Sequence, residues 1–208
     1  MKNMVITIGR EYGSGGHEIG ARLAKKLGLA FYDKEIIDLS VEKSGCCENY
    51  VRNNEEKTPG IFIRSTMFGK GNAYATVTPE NELFVHQAEI ISELAQKGGC
   101  VIVGRCADYV LKDREDVIKF FAHAPLEDRI KRKMALSTNG ETEKEIKKQI
   151  VSTDKRRSKY YNFYTGAEWG DSRCYDLCID TSKSGIDGAV DLIIDFIKHY
   201  KNTSMMPD

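Results

Sequence analysis

The sequence predicts a three-layer α/β protein, a parallel sheet with helices on both faces, and three observations carry that expectation. Short apolar runs alternate along the chain with amphipathic helical periods. The runs are continuous rather than alternately apolar and polar, as strands covered on both faces should be. A glycine-rich stretch also stands between the first run and the first helical period, where open α/β sheets place their ligands.

Met4 to Ile8 form the first strand, closing on Gly9. After Gly13-Ser14-Gly15-Gly16, the period Ile19, Leu23, Ala24, Leu27 marks a helix closed by Gly28. Leu29 to Tyr32 read as a second strand, and Asp33 takes the N-cap position before a helix over residues 34–43. Residues of about 45–78 lose clear periodicity, carry Arg52 and Arg64 and read as an inserted lobe.

Pro79 opens a strong helical period through Leu83, Phe84, Ala88, Ile91, Leu94 and Ala95, ended by Gly98-Gly99. Cys100 to Val103 is the next strand, closed by Gly104-Arg105, and Val117 to Ala122 another. Pro125 starts a basic helix, Asn139-Gly140 breaks it, and a second basic helix runs from about residue 141 to the Tyr160 region. Tyr175 to Ile179 is the last strand, and Ile186, Val190, Ile193, Ile194 and Ile197 define a terminal helix before a frayed tail at 202–208. A chain of 208 residues fits one domain.

Lys plus Arg and Asp plus Glu both number 31, so net charge gives no reason to expect a nucleic-acid partner. The balance fails locally: residues 129–159 hold eleven Lys or Arg against four Asp or Glu. That stretch reads either as a solvated face or as an element facing a polyanion. No run approaches the roughly 20 apolar residues of a membrane span, and the N-terminal residues do not form a secretory leader. The six cysteines show neither C-x-x-C nor zinc spacing, which fits reduced thiols and a cytoplasmic location.

The strand–turn–helix over residues 5–27 carries the chemistry. Gly13, Gly15 and Gly16 allow positive φ and close backbone approach. Their N–H groups, with that of Ser14 and a helix N-terminus at His17, make a cradle for anionic oxygens. A plain structural turn is the blander alternative. A dinucleotide fingerprint is a minor alternative: Glu18 stands where its third glycine belongs, although Asp33 falls near the ribose-binding spacing. Against G-x-x-x-x-G-K-[ST], Gly15 takes the second glycine, Gly16 the lysine position, His17 the hydroxyl position and Arg10 the first glycine. The missing cation must come from elsewhere, and Arg10, as a bidentate guanidinium on the β- and γ-phosphates, is the favoured source over His17.

Several segments together resemble the cytidylate-kinase-like family of P-loop kinases. They are Gly9 to Gly16, Phe31-Tyr32-Asp33, Val101 to Asp108, Ala124 to Arg129 and Tyr175 to Ile179. The resemblance implies a three-layer P-loop kinase-like domain over 1–208, with an acceptor lobe at about 45–78 and a helical lid at about 126–165. It implies transfer of the γ-phosphate of ATP, with Mg2+, to a nucleoside monophosphate, most readily CMP or dCMP. Arg105 matches the acceptor-holding arginine of a Gly-Arg-Asp motif; Cys106 replaces the Asp, and Asp108 is its candidate substitute. Asp33 falls near the acceptor, and Arg64 is a further acceptor-phosphate candidate. Arg129 and Lys133 resemble a pair touching ATP, while Asp154, Arg156 and Arg157 resemble the lid's charged cluster.

Catalysis is then expected to be electrostatic, from Arg10, Arg105, Arg156 and Arg157. Two other functions stay open: a catalytically weak nucleotide sensor, motivated by the missing lysine, and a kinase for a non-nucleotide acceptor, motivated by Cys106. The aromatic group Tyr160, Tyr161, Phe163, Tyr164 and Trp169 has helical spacing, which favours packing over base stacking.

Overall fold

The computed structural model describes residues 4–44, 58 and 79–203. Apart from Thr58, the lobe expected over 45–78, with Arg52 and Arg64, lies outside them, as do residues 204–208. The described chain runs β1 (Val5–Arg10), α1 (Gly16–Leu27), β2 (Ala30–Tyr32), α2 (Glu35–Ser44), α3 (Pro79–Lys97), β3 (Cys100–Val103) and the short α4 (Ala107–Val110). It continues through β4 (Val117–His123), α5 (Leu126–Leu136), α6 (Glu143–Thr165), a 3-10 turn at Ser172–Cys174, β5 (Leu177–Asp180) and α7 (Thr181–Thr203).

The five strands form one sheet in the order β2-β3-β1-β4-β5, every pair parallel. Period-two alternation sorts the side chains. Ile6, Ile8, Val101, Val103, Ile118 and Phe120 pack on the α1 and α7 side. Val5, Cys100, Ile102 and Val117 pack on the α2, α3 and α4 side. This is the doubly covered parallel sheet that the apolar runs foretell.

Several boundaries move for identifiable reasons. β1 continues past Ile8 through Gly9 and Arg10, because β4 keeps pairing alongside it as far as Arg10 opposite Ala122. The second basic helix starts later than expected, at Glu143, where Thr142 and Glu145 form a reciprocal capping box. Residues 175 and 176 precede β5, with the Asp176 N–H already bonded to the Lys119 carbonyl. The terminal helix is a single turn, a break at Gly185 with φ 65°, and then a helix that keeps Asn202 and Thr203 in its last turn.

The aromatic group packs, as its spacing suggests. Tyr160 and Tyr161 are buried with Cys106, and Phe84, Tyr109, Tyr164 and Trp169 pack against them. Phe84 stacks on Tyr164 at 4.0 Å between centroids, and the Tyr160 hydroxyl donates to Gln87 Oε1 at 3.1 Å. The C-terminal end of α6 is therefore riveted to the body of the protein.

Because β1 lies between β3 and β4, the loops leaving β1 and β3 open into the same crevice at the C-terminal edge of the sheet. That places Gly104 and Arg105 beside the glycine loop, with the Gly104 N–H bonded to the Ile8 carbonyl at 3.0 Å.

Candidate phosphate-binding cleft

The glycine loop is held from below by two hydroxyls. Ser14 Oγ donates to the Glu11 carbonyl at 2.9 Å, and Thr181 Oγ1 donates to the Ser14 carbonyl at 2.7 Å. Gly13 and Gly15 take φ 87° and 89°, values costly for any residue with a Cβ. Space is equally short. A Cβ on Gly16 would lie 2.5 Å from Arg10 Cβ, and one on Gly13 would lie 3.2 Å from both Arg129 Cβ and Lys133 Cγ.

A cleft of about 410 Å³ opens over this loop, lined by Gly13, Gly15, Gly16, His17, Asp33 and the side chains of Arg10, Arg132, Lys133 and Arg157. Within it Asp33 is the central acceptor. It lies 3.8 Å from Arg10 Nη2, and His17 Nδ1–H donates to its other oxygen at 2.6 Å. The Arg10 guanidinium thus turns toward Asp33 and Gly104, whose Cβ, if present, would stand 1.9 Å from Arg10 Nη1. β1 extends through residue 10, so Arg10 stands at the very end of the strand, and it lines the cleft together with the glycine loop.

The two arginines that sequence spacing left equivalent are separated. Arg156 is exposed, whereas Arg157 is half-buried, lines the cleft and donates from Nη1 to the Arg10 carbonyl at 3.2 Å. Arg129 is buried among protein groups. It pairs with Asp154 and, at 3.4 Å, with Glu11, and it donates to the Tyr12 carbonyl at 3.2 Å. Asp154 Oδ1 also accepts from the Tyr12 N–H at 2.7 Å. Arg129 thus ties the loop to the two basic helices.

Arg105 and Cys106 both take left-handed backbone, with φ 59° and 54°. Such geometry in non-glycine residues is stored strain and often marks a functional turn. Arg105 and Asp108 are buried and line a small pocket of about 20 Å³, with Arg10, Arg157, Trp169 and Tyr175 also on its wall. Burial pushes the Asp108 carboxyl above its ordinary range, partly opposed by the hydrogen bond that the Tyr161 hydroxyl donates at 2.7 Å. The same burial raises the Tyr161 phenol. Among the described residues Cys100, Cys106, Cys174 and Cys178 carry free thiols, and burial lifts that of Cys100 to about 11.

Sequence reasoning missed Tyr12, Thr181 and Arg132. Arg132 pairs with Glu18 at the start of α1. Burial pushes the Glu18 carboxyl up, but the guanidiniums of Arg132 and Arg22 outweigh it and hold the group below its usual value. A second opening of about 250 Å³ lies on the other side of the loop, between Gly13, Ser14, Arg132 and the Thr181–Ile186 segment.

A bound magnesium ion would take six oxygens, most of them from phosphates and water, with one or two carboxylates from the protein. Among the described residues no group of three His, Cys, Asp or Glu side chains could cage a metal. The carboxylates on the cleft wall are Glu11, Glu18 and Asp33, the last already held by Arg10 and His17. No helix among the described residues is long and apolar enough to cross a membrane.

The solved structures most like this one include a shikimate kinase from Bacteroides thetaiotaomicron, with a TM-score of 0.57 at 13% identity over 94% of this chain and 98% of that one. Sheet order, glycine loop and cleft together define a P-loop kinase architecture. An uncharacterized protein from Eubacterium ventriosum matches more closely, with a TM-score of 0.69 at 31% identity over 94% of this chain and 98% of that chain. Residues 5–183 match the model of the cytidylate kinase-like family, and the chain belongs to that family of nucleotide kinases. Among its relatives, the cytidylate kinase of Methanocaldococcus jannaschii is 26% identical over 95% of this chain and 99% of its own length. That of Pyrococcus furiosus is 32% identical over 61% of this chain and 62% of its own.

Proposed function

We propose that the protein transfers the γ-phosphoryl group of ATP to a nucleoside monophosphate, with CMP and dCMP the foremost acceptors. The observation that carries this reading is one cleft in which the glycine loop, Asp33, Lys133 and Arg157 face the same space, next to the Arg105–Asp108 pocket. An oxygen of the acceptor phosphate attacks the γ-phosphorus while the bond to the β,γ-bridging oxygen breaks. ADP and a nucleoside diphosphate result, and the protein forms no covalent bond.

Catalysis in this scheme is positioning plus charge neutralisation. Backbone N–H groups of residues 13–17 cradle the donor phosphates, and the opening by Thr181 takes the donor base. Arg10, held against Asp33, addresses oxygens on the acceptor side, and Arg105 and Asp108 hold the acceptor. Lys133 and Arg157 cover the transferred group. Arg64 stays a candidate acceptor ligand from the lobe; Arg156, facing solvent, has no contact role in this scheme. Magnesium bound to the nucleotide would draw charge from the phosphate oxygens, with Glu11, Glu18 and Asp33 the carboxylates on the cleft wall. Helices α5 and α6 form the lid over the loop, joined to it through Arg129, Asp154 and Tyr12 and to the body through Tyr160 and Tyr161. The organisation is one kinase domain, with the acceptor lobe at 45–78.

The decisive assay couples ADP formation to oxidation of a reduced nicotinamide, with magnesium, ATP and a panel of CMP, dCMP, UMP, AMP and GMP. Turnover highest with CMP or dCMP supports the assignment. No ADP above the ATP-only rate with any monophosphate sinks it. Cys106, on the wall of the Arg105 pocket where the motif's Asp is expected, favours one second reading, a smaller phosphate-bearing acceptor. Small sugar phosphates in the same assay test it.

A further inference from the structure

The loop has no lysine of its own, and the structure shows why none could be added in place. Position 16 has no room for a side chain, and the Arg10 guanidinium is turned toward Asp33. On the open side of the loop stands the ring of Tyr12. Lys133 Nζ lies 4.8 Å from its centroid and Arg157 Cζ 5.7 Å, so one aromatic ring holds two cations brought from two different helices. Both cations line the cleft over the loop.

Tyr12 is itself fixed on every side. Its N–H is bonded to Asp154 and its carbonyl accepts from Arg129. Its ring packs on Ile130, Ile146 and Ile150, the contact that joins α5 to α6. Ring quadrupoles attract ammonium and guanidinium groups, most strongly where water is partly excluded. Among the described residues no carboxylate is paired with Lys133.

We propose that Tyr12 is a positioning residue: its ring holds Lys133 and Arg157 over the glycine loop, where they replace the missing loop lysine on a bound triphosphate. The inference rests on the kinase reading above but concerns the triphosphate cradle alone. It moves the source of the cation from the loop to the two helices that cover it.

Binding of inorganic tripolyphosphate, followed by isothermal titration calorimetry, separates this proposal from the kinase reading. Lys133→Met should weaken binding about 10- to 100-fold, the usual worth of a charge-assisted contact. Tyr12→Leu should weaken it roughly tenfold, while Tyr12→Phe, which keeps the ring, stays within about twofold of wild type. The Tyr12→Leu/Lys133→Met double variant should lose less than the product of the single losses. With ATP, Tyr12→Leu should lower kcat more than it raises KM for the monophosphate. Circular dichroism and thermal melting confirm that each variant is folded.

Wild-type binding retained in Tyr12→Leu, or fully multiplicative losses in the double variant, overturns the proposal and leaves the kinase reading intact. A wild type that does not bind tripolyphosphate overturns it as well. A wild type that binds tripolyphosphate with this pattern yet turns over no monophosphate leaves the proposal standing and removes the kinase reading.

Discussion

Replacing Arg129 by Met tests whether the guanidinium serves the fold or the nucleotide. Its side chain is 9% exposed, and its partners Asp154 and Glu11 are 17% and 26% exposed. Removing one member of a buried ion pair costs about 3–5 kcal/mol, because the partner is stranded. Here both partners can regain some water, so the loss should fall to about 2–3 kcal/mol. At roughly 2–4 °C per kcal/mol for a chain of this size, Tm should drop by about 5–10 °C. Asp154→Asn should cost a similar amount, and the double variant less than the sum, because the two groups share one interaction. The assay is thermal unfolding followed by circular dichroism, without nucleotide and then with saturating ATP and magnesium. A Tm within about 1 °C of wild type, with ATP affinity down tenfold or more, would refute the rivet and restore Arg129 as a donor ligand.

Two further perturbations probe the acceptor wall. Gly104→Ala introduces a Cβ at φ 76° that would sit 1.9 Å from Arg10 Nη1. The backbone strain is about 1 kcal/mol, and the flexible guanidinium can swing away from Asp33. Turnover should therefore fall at least about tenfold with only a small drop in Tm; unchanged turnover would take Arg10 out of the mechanism. Asp108, whose folded carboxyl is raised above its ordinary value of 3.8, holds a proton that the unfolded chain releases first. Its contribution to stability is greatest in acid and falls as pH rises from near 3.8 toward the raised value. Asp108→Asn should remove that decline, leaving the variant as stable as wild type or more so at pH 8. A variant that instead loses stability only at high pH would reverse the sign and show an ionised, stabilising carboxylate.

What the sequence revealed and what it hid divide along a physical line. Strands and helices were legible because burial on two sheet faces demands continuous apolar runs, and the glycine loop because positive φ and close packing leave few alternatives to glycine. Partnerships of charged side chains were not. Arg129 meets Glu11 and Asp154 across 118 and 25 positions of sequence, and no local pattern encodes which carboxylate a guanidinium will find. Arg10 likewise meets Asp33, a partner that its position in the loop does not indicate. One signal was present and unused. Ile146, Ile150, Thr153, Tyr160 and Tyr161 are the buried residues of α6. Their helical phase puts residue 157 on the inward stripe and residue 156 off it.

The cations of the cleft are also not equivalent, and their partners give a physical order in which a phosphate can recruit them. Arg129 is bound to two carboxylates and a carbonyl, so moving it to a ligand would strand buried negative charge. Arg132 is paired with Glu18, in a more exposed setting where exchange of one anion for another costs little. Lys133 stands over an aromatic face, an attraction that a phosphate dianion readily exceeds. A triphosphate entering between loop and helices should thus engage Lys133 first, then Arg132, and leave Arg129 where it is. On this proposal, framework and ligand roles would fall within residues 129 to 133 of α5, and the distinction would lie in what each side chain already holds rather than in its charge.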